Sequence, residues 1–463
     1  MDSIMGNNTW VLADLPPGYK PLICKWIFKR KLKVDGTIEK FKARLVIQGF
    51  KQKSGIDYFD TYALVARIST IRLLIAMASI HNLIIHQMDM KTAFLNGELE
   101  EEVYMNQPQG FIMPGNENKV CKLIKSLYGL KQAPKQWHQK FDEVVLSNGY
   151  LLNQADKCVY NKFDESGKGV IICLYADDML IFSTDQVQVD LTKEFLSSRF
   201  SMKDMGEADV ILGIRIKLES NGIAISQSHY IEKVLKKFNY FDCTPVSTPI
   251  GYNNKRCPIK VRLISIEYSR YTSNPGTQHW QAIQRVLKYL KKTMDYRLTY
   301  TNYPSVLEGY TDASWISNTE DNSSTSGWVF LLGGGAIFWA FKKQTCITGS
   351  TMESEFVALA AAGKEAEWLK NLLLEIPLWV KPMAPSSIRC DSVATLAKAY
   401  SQMYNGKSRH LGVRHNMIRE LITNGVVSIE FVRSQQNLAD HLTKGLARDL
   451  VIKSAEGMRL KSN

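Results

Sequence analysis

Residues 170–182 read V-I-I-C-L-Y-A-D-D-M-L-I-F, two adjacent carboxylates set between two apolar runs. Alternation into and out of such runs predicts a tight hairpin with Asp177 and Asp178 at its tip. Removing a carboxylate from water is costly unless a partner compensates. Two partners fit the pattern: solvent at an ordinary Asp-Asp turn, or a bound metal ion. Neighbouring residues on a regular strand face opposite sides, so both acids can serve one site only if the turn rotates one of them.

The rest of the chain must carry that choice. Its 463 residues suffice for two to four domains, and 45% apolar residues can build real cores. A net charge of +13 favours a polyanionic partner. Eight scattered cysteines form no C-x-x-C pair, so reduced thiols are expected. The N-terminus has no basic-then-apolar layout, and no apolar run approaches a membrane span. A soluble, intracellular protein is the expectation.

Three textures follow one another. Residues 1–240 mix short strands with amphipathic helices, 241–303 hold a Pro/Lys-rich stretch and a helix, and 304–450 alternate strands and helices; 451–463 read as a tail. Early in the first region, Asp35-Gly36 joins two alternating runs and predicts a hairpin. It carries Lys29, Arg30, Lys31, Lys33, Lys40, Lys42 and Arg44. A solvated, Lys-protected edge and a phosphate-facing flap both fit that pattern. Residues 69–80 predict a core helix capped by Ser69 or Thr70. The following strand, L-I-I-H-Q-M, ends at Asp89. In the second region Trp280, Ile283, Leu287, Leu290 and Met294 recur at helical spacing; a solvated basic face and a helix tracking a nucleic-acid backbone both fit, the first more simply. In the third, Asp312, Glu353, Asp391 and Asp440 each fall at the end of a predicted element. Separated acids on strand tips are what two magnesium ions need for phosphoryl transfer.

Longer phrases narrow the reading. Y-A-D-D at 175–178 resembles the Y-x-D-D box of reverse transcriptases. K-W-I-F-K (25–29), K-A-R-L-V (42–46), D-M-K-T-A-F-L-N-G-E-L (89–99), V-Y-M-N-Q-P-Q-G-F (103–111), Y-G-L-K-Q-A-P-K-Q-W (128–137) and G-S-T-M-E-S-E-F-V-A-L (349–359) resemble the copia-type long-terminal-repeat retrotransposon polyprotein, in family order. The resemblance implies an α+β and α/β fold: right-hand polymerase fingers and palm over 1–240, a truncated thumb/connection linker over 241–303, and an RNase H-like domain with a mixed central sheet over 304–450. It implies an RNA- and DNA-directed DNA polymerase with RNase H activity, using two Mg2+ or Mn2+ ions per active site. By motif position Asp89, Asp177 and Asp178 match the polymerase metal ligands. Asp312, Glu353, Asp391 and Asp440 match the RNase H acids, with Glu353 preferred over Glu355. Phe94 matches the aromatic set against the sugar. Lys31, Lys42 and Arg44 are candidates for the triphosphate, and Tyr128 and Gly129 for supporting the incoming base and template. The implied partners are RNA template, DNA primer, RNA/DNA hybrid and deoxynucleoside triphosphates, with no membrane; the implied location is a cytoplasmic particle or the nucleus.

The sequence departs from the family pattern in places. A helical segment expected within I-E-Y-S-R-Y-T-S-N-P (266–275) is missing. Leu64 stands where the family has Pro, and Phe338 and Phe341 replace small polar residues, an overpacking or exposed-surface risk. The competing reading is therefore a catalytically defective relic that binds nucleic acid without specificity.

Overall fold

The structure is a computed structural model and describes residues 8–32, 37–248, 276–318, 321–379, 381–404, 406, 409–444 and 448–462. The Asp35-Gly36 turn and the 266–275 join lie outside these residues.

The predicted N-terminal hairpin is a two-stranded antiparallel ribbon, β1 (Cys24–Leu32) and β2 (Ile38–Ile47). Next come α1 (Ile68–His81), β3 (Ile84–Met90) and α2 (Ala133–Ser147). β4 (Leu151–Leu152), β5 (Val159–Phe163), β6 (Gly169–Tyr175), β7 (Asp178–Ser183), α3 (Gln186–Arg199) and β8 (Met202–Glu207) complete the palm. Its sheet runs β8-β3-β7-β6-β5-β4. β6 and β7 are apolar on both faces, as strands covered on both sides must be.

Helix α1 is a core helix, as its sequence predicts, but neither Ser69 nor Thr70 caps it. Arg67 occupies the N-cap without a side-chain bond. The cap comes from a distant carboxylate: Asp156 Oδ2 accepts from the Arg67 N–H at 3.4 Å and from Thr70 Oγ1 at 2.6 Å. A negative group there satisfies open N–H donors and the positive end of the helix dipole.

β9 (Val210–Ile211), β10 (Ile214–Glu219), β11 (Gly222–Ser226), α4 (Ser228–Lys237), α5 (Thr277–Lys292) and β12 (Tyr296–Tyr300) follow. The C-terminal region holds β13 (Glu308–Asn318), β14 (Ser323–Leu332), β15 (Gly335–Lys343), α6 (Thr351–Leu374), β16 (Ser386–Cys390), α7 (Val393–Tyr400), α8 (Arg409–Thr423), β17 (Val427–Phe431), α9 (Asp440–Thr443), α10 (Arg448–Gly457) and β18 (Leu460–Ser462). Its sheet runs β15-β14-β13-β16-β17, antiparallel through β13 and parallel beyond it, the mixed central sheet expected.

Two boundaries move. β18 pairs with β12, and β12 with β11, in one five-stranded sheet. The described residues of the expected tail, 451–462, therefore end in a paired strand, and Leu460 packs against the core. The segment 241–303, expected as a linker, contributes a sheet strand at its end. Palm and C-terminal region also share a single core, in which Ile71–Ala78 of α1 meets Trp328–Leu332 of β14 and buried residues of α6. At the seam, Trp368 Nε1 donates to the Ala155 carbonyl at 2.7 Å, and the Arg67 guanidinium lies 4.3 Å from the Trp368 ring centre. Leu64 and Phe341 pack against this core, and Phe338 stacks on Phe330 with ring centres 6.4 Å apart. The feared sticky aromatics are therefore absorbed. On α5, Val286 and Leu287 are buried, while Arg285 donates to Thr248 Oγ1 and Lys291 lies over Phe241.

Because Asp156 both caps α1 and satisfies buried Thr70, Asp156→Ala is expected to cost about 2 kcal/mol. The shift in urea midpoint, at unchanged slope, measures it.

Candidate active sites

The hairpin question has a local answer. Asp178 is the first residue of β7 and pairs with Tyr175, so Ala176 and Asp177 alone make the turn. Ala176 takes φ +56°, a left-handed conformation that disfavours a Cβ by roughly 1–2 kcal/mol. Two hydrogen bonds hold the strained turn. Trp137 Nε1 donates to the Ala176 carbonyl at 2.8 Å, and the Met90 N–H donates to the Asp177 carbonyl at 2.9 Å. The second bond ties the turn to β3. In the antiparallel register between β7 and β3, Asp178 stands directly opposite Asp89.

Asp89, Asp177 and Asp178 are therefore neighbours, all half-buried. Burial raises the Asp178 carboxyl above its ordinary range, and the charges of Asp177 and Asp89 raise it further. Gln87 Nε2 donates to Asp178 Oδ1 at 3.3 Å and partly offsets this. Trp137 and Gln87 escaped sequence reading: an indole inside an amphipathic helix reads as core, and its buried ring is core as well.

Beside the acids lies an aromatic wall. The rings of Phe94 and Tyr128 meet edge-on with centres 5.2 Å apart, and the Arg44 guanidinium lies 5.2 Å from the Tyr128 ring centre. Burial raises the Tyr128 hydroxyl; Arg44 opposes that, while Asp177 and Asp89 add to it. Gly129 has φ +95°, and a Cβ there would come within 2.2 Å of the Ile47 carbonyl oxygen, so only glycine lets this loop close on β2. Ribbon register puts Lys29 opposite Lys42 and Lys31 opposite Lys40. By strand alternation, Lys29, Lys40, Lys42 and Arg44 share one face. Like charges directly opposite are unfavourable without an anion to bridge them.

The second cluster lies at the C-terminal sheet. Carboxylate oxygens of Asp312, Asp391 and Asp440 all come within 4.8 Å of one another. Asp312 is fully buried on β13. Ser434 Oγ donates to Asp391 Oδ2 at 2.6 Å, and Asn437 Nδ2 donates to Asp391 Oδ1 at 3.4 Å. Lys444 Nζ donates to Asp312 Oδ1 at 2.9 Å and Asp440 Oδ1 at 2.5 Å; Thr443 Oγ1 donates to Asp312 Oδ2.

The glutamate that lies beside this cluster is Glu355, while Glu353 turns to the start of α6. Glu353 Oε2 accepts from the Gly349 N–H at 2.8 Å, while the Ser350 side chain accepts from the Glu353 N–H. Glu353 is thus spent on capping α6. Two residues on, across the helix, Glu355 is buried, and its Oε1 accepts from the Ala313 N–H at 3.1 Å. Burial first, then the charges of Asp312 and Asp391, push its carboxyl up to about 9. The signal was in the sequence: S-T-M-E is a capping-box pattern, which assigns the first glutamate to the helix end.

Since Trp137 holds the Ala176 turn through one N–H, Trp137→Phe keeps the ring and removes the donor. It is expected to cost about 1 kcal/mol and to weaken Mn2+ binding at the tip, both read by thermal shift with and without the ion.

A family model described as reverse transcriptase (RNA-dependent DNA polymerase) matches residues 7–252. The chain is 38% identical to the retrovirus-related Pol polyprotein from transposon TNT 1-94 of Nicotiana tabacum, over 97% of this chain and 36% of that protein. It is 33% identical to the Pol polyprotein from transposon RE1 of Arabidopsis thaliana, over 96% of this chain and 32% of that protein. A foamy viral protease-reverse transcriptase, solved in complex with RNA/DNA hybrid, superposes with a TM-score of 0.48 at 12% identity, over 93% of this chain and 52% of that one. The chain thus spans about a third of the length of these plant relatives. With a family match over more than half its residues, the chain belongs to the reverse transcriptase family, among the copia-type retrotransposon Pol polyproteins.

Proposed function

We propose that this chain is an RNA- and DNA-directed DNA polymerase joined to an RNase H acting on RNA/DNA hybrids, in the replication of a retrotransposon. The observation that carries the reading is the convergence of Asp89, Asp177 and Asp178 beside Arg44, Tyr128 and Phe94. Asp178 stands opposite Asp89 with Asp177 in the adjoining turn, and the charges of both raise its carboxyl, which supports a divalent-cation site. At the second cluster, Glu355 Oε2 is buried without a hydrogen-bond partner, an orphan acceptor that a cation would satisfy.

In the polymerase site Asp89, Asp177 and Asp178 would hold Mg2+ or Mn2+; in the RNase H site Asp312, Glu355, Asp391 and Asp440 would. Bound in pairs, such ions supply Lewis acidity that lowers the pKa of an attacking hydroxyl or water and neutralises the leaving oxygen. The chain's own residues do the rest. Arg44, Lys42 and the cations opposite offer the triphosphate a bridging face. Phe94 closes the sugar side, where a 2′-hydroxyl would meet its ring. Tyr128 and Gly129 back the incoming base. Recognition of template-primer and hybrid would rest on phosphates, so affinity falls with added salt.

Metal-dependent primer extension tests the reading. Activity on an RNA template is expected, with loss of at least about a hundredfold in Asp177→Asn. Salt-sensitive hybrid binding without any extension would instead leave the relic. Hybrid cleavage should fall far more in Glu355→Gln than in Glu353→Gln.

The raised Glu355 carboxyl also sets a pH dependence. A group protonated more readily in the folded state stabilises it below the ordinary carboxylate range, and that contribution is lost as pH rises toward about 9. Metal-free protein should therefore melt progressively lower from pH 5 to about pH 9. Glu355→Gln should flatten the slope, and Mg2+ should restore stability to the parent chain but not to the variant.

A further inference from the structure

Lys444 enters the RNase H acid cluster from the residue after α9. Its ammonium bridges Asp312 Oδ1 and Asp440 Oδ1, at 2.9 and 2.5 Å. Those two carboxylates, with Asp391, are the ones whose oxygens gather within 4.8 Å. A side chain that donates to two of three prospective ligands uses lone pairs that a divalent ion would need. The lysine has little alternative while no ion is present. Asp312 is fully buried, and an uncompensated buried carboxylate is costly. The Lys444 side chain itself is 39% exposed, so it reaches the cluster from the solvent side and has somewhere to withdraw. The hairpin-tip acids of the polymerase site differ: the side-chain donor to Asp178 is the neutral Gln87.

We propose that Lys444 is a built-in cation that occupies the RNase H metal site of the ion-free protein and is displaced when a divalent ion binds. The inference rests on the reading of this cluster as a metal site. It makes metal binding at the two active sites unequal, since among the described residues no ammonium forms an ion pair with Asp89, Asp177 or Asp178 as Lys444 does with Asp312 and Asp440. It also couples the site to its substrate: any polyanion that draws the Lys444 ammonium outward raises metal affinity by the same factor that metal raises polyanion affinity.

Two measurements on the full chain, without nucleic acid, test the proposal. The first is Mn2+ binding followed by electron paramagnetic resonance, in an Asp177→Asn background that weakens the polymerase site. Lys444→Met should bind Mn2+ on the order of tenfold more tightly than its parent, since a competing unit charge is gone. Lys444→Arg should stay close to the parent. The second is the rate at which an amine-reactive ester acylates Lys444, read by peptide mass spectrometry. In EDTA Lys444 should react slowly. Saturating Mg2+ should speed it at least about fivefold over other lysines. Equal Mn2+ affinity in Lys444→Met and its parent, or a Lys444 acylation rate indifferent to bound metal, overturns the proposal while leaving the metal site intact. Absence of Mn2+ binding in both chains, with Asp391→Asn as control, overturns the metal-site reading and the proposal with it.

Discussion

Two aspartates face each other across an antiparallel ladder, Asp178 on β7 and Asp89 on β3, and the N-terminal half is arranged around keeping them there. Like charges in direct cross-strand register repel, and a register slip of one residue would separate them. A slip is prevented by what lies behind. Ile171, Leu180 and Phe182 are fully buried in one core cluster, while Ile172, Met179 and Ile181 are fully buried in another on the opposite face. A one-residue shift would exchange those faces. The repulsion at the tip is therefore sustained by apolar burial along the strands, and the Trp137 and Met90 hydrogen bonds fix the final turn.

The second acid cluster solves the same problem by other means. Its carboxylates come from the middle of β13, the residue after β16, a long helix and a four-residue helix. Each has its own anchor: Glu355 the Ala313 N–H, Asp391 Ser434 and Asn437, Asp312 Thr443 and Lys444, and Asp440 Lys444. The hairpin site has one neutral donor where this one has an ammonium. The two sites are also joined mechanically. Helix α1 lies against the palm sheet on one side and against β14 and β15 on the other, and Trp368 and Arg67 close the seam. Neither half can lose that contact without exposing apolar surface belonging to both.

Much of this was legible in the sequence, and the misses have identifiable causes. The Asp-Asp hairpin, the basic ribbon, the strand ending at Asp89 and the long helix after residue 350 follow from local pattern, which is where sequence is strongest. Capping of α1 was misread because its cap, Asp156, is 86 residues from Thr70 and no local rule reaches that far. Glu353 and Glu355 share one motif, and what separates them is the helix end, which takes up the first. Phe338 and Phe341 looked like overpacking because the partner surfaces, Phe330 and the shared core, come from elsewhere. The final strand was taken for a tail because three residues carry no periodicity; its place is set by an open edge at β12. Apart from the two glutamates, which a local capping pattern separates, the missing information was a long-range contact.

The central claim is that residues 89 and 177–178 share a divalent ion. Iron-directed backbone cleavage tests it most directly: Fe2+ loaded in place of Mg2+, then ascorbate and peroxide, with fragments mapped by mass spectrometry. The account predicts paired cuts beside residue 89 and beside residues 177–178, both suppressed together by excess Mg2+ and both absent in Asp178→Asn. Cutting at one segment without the other, or cuts that Mg2+ does not suppress, would contradict it.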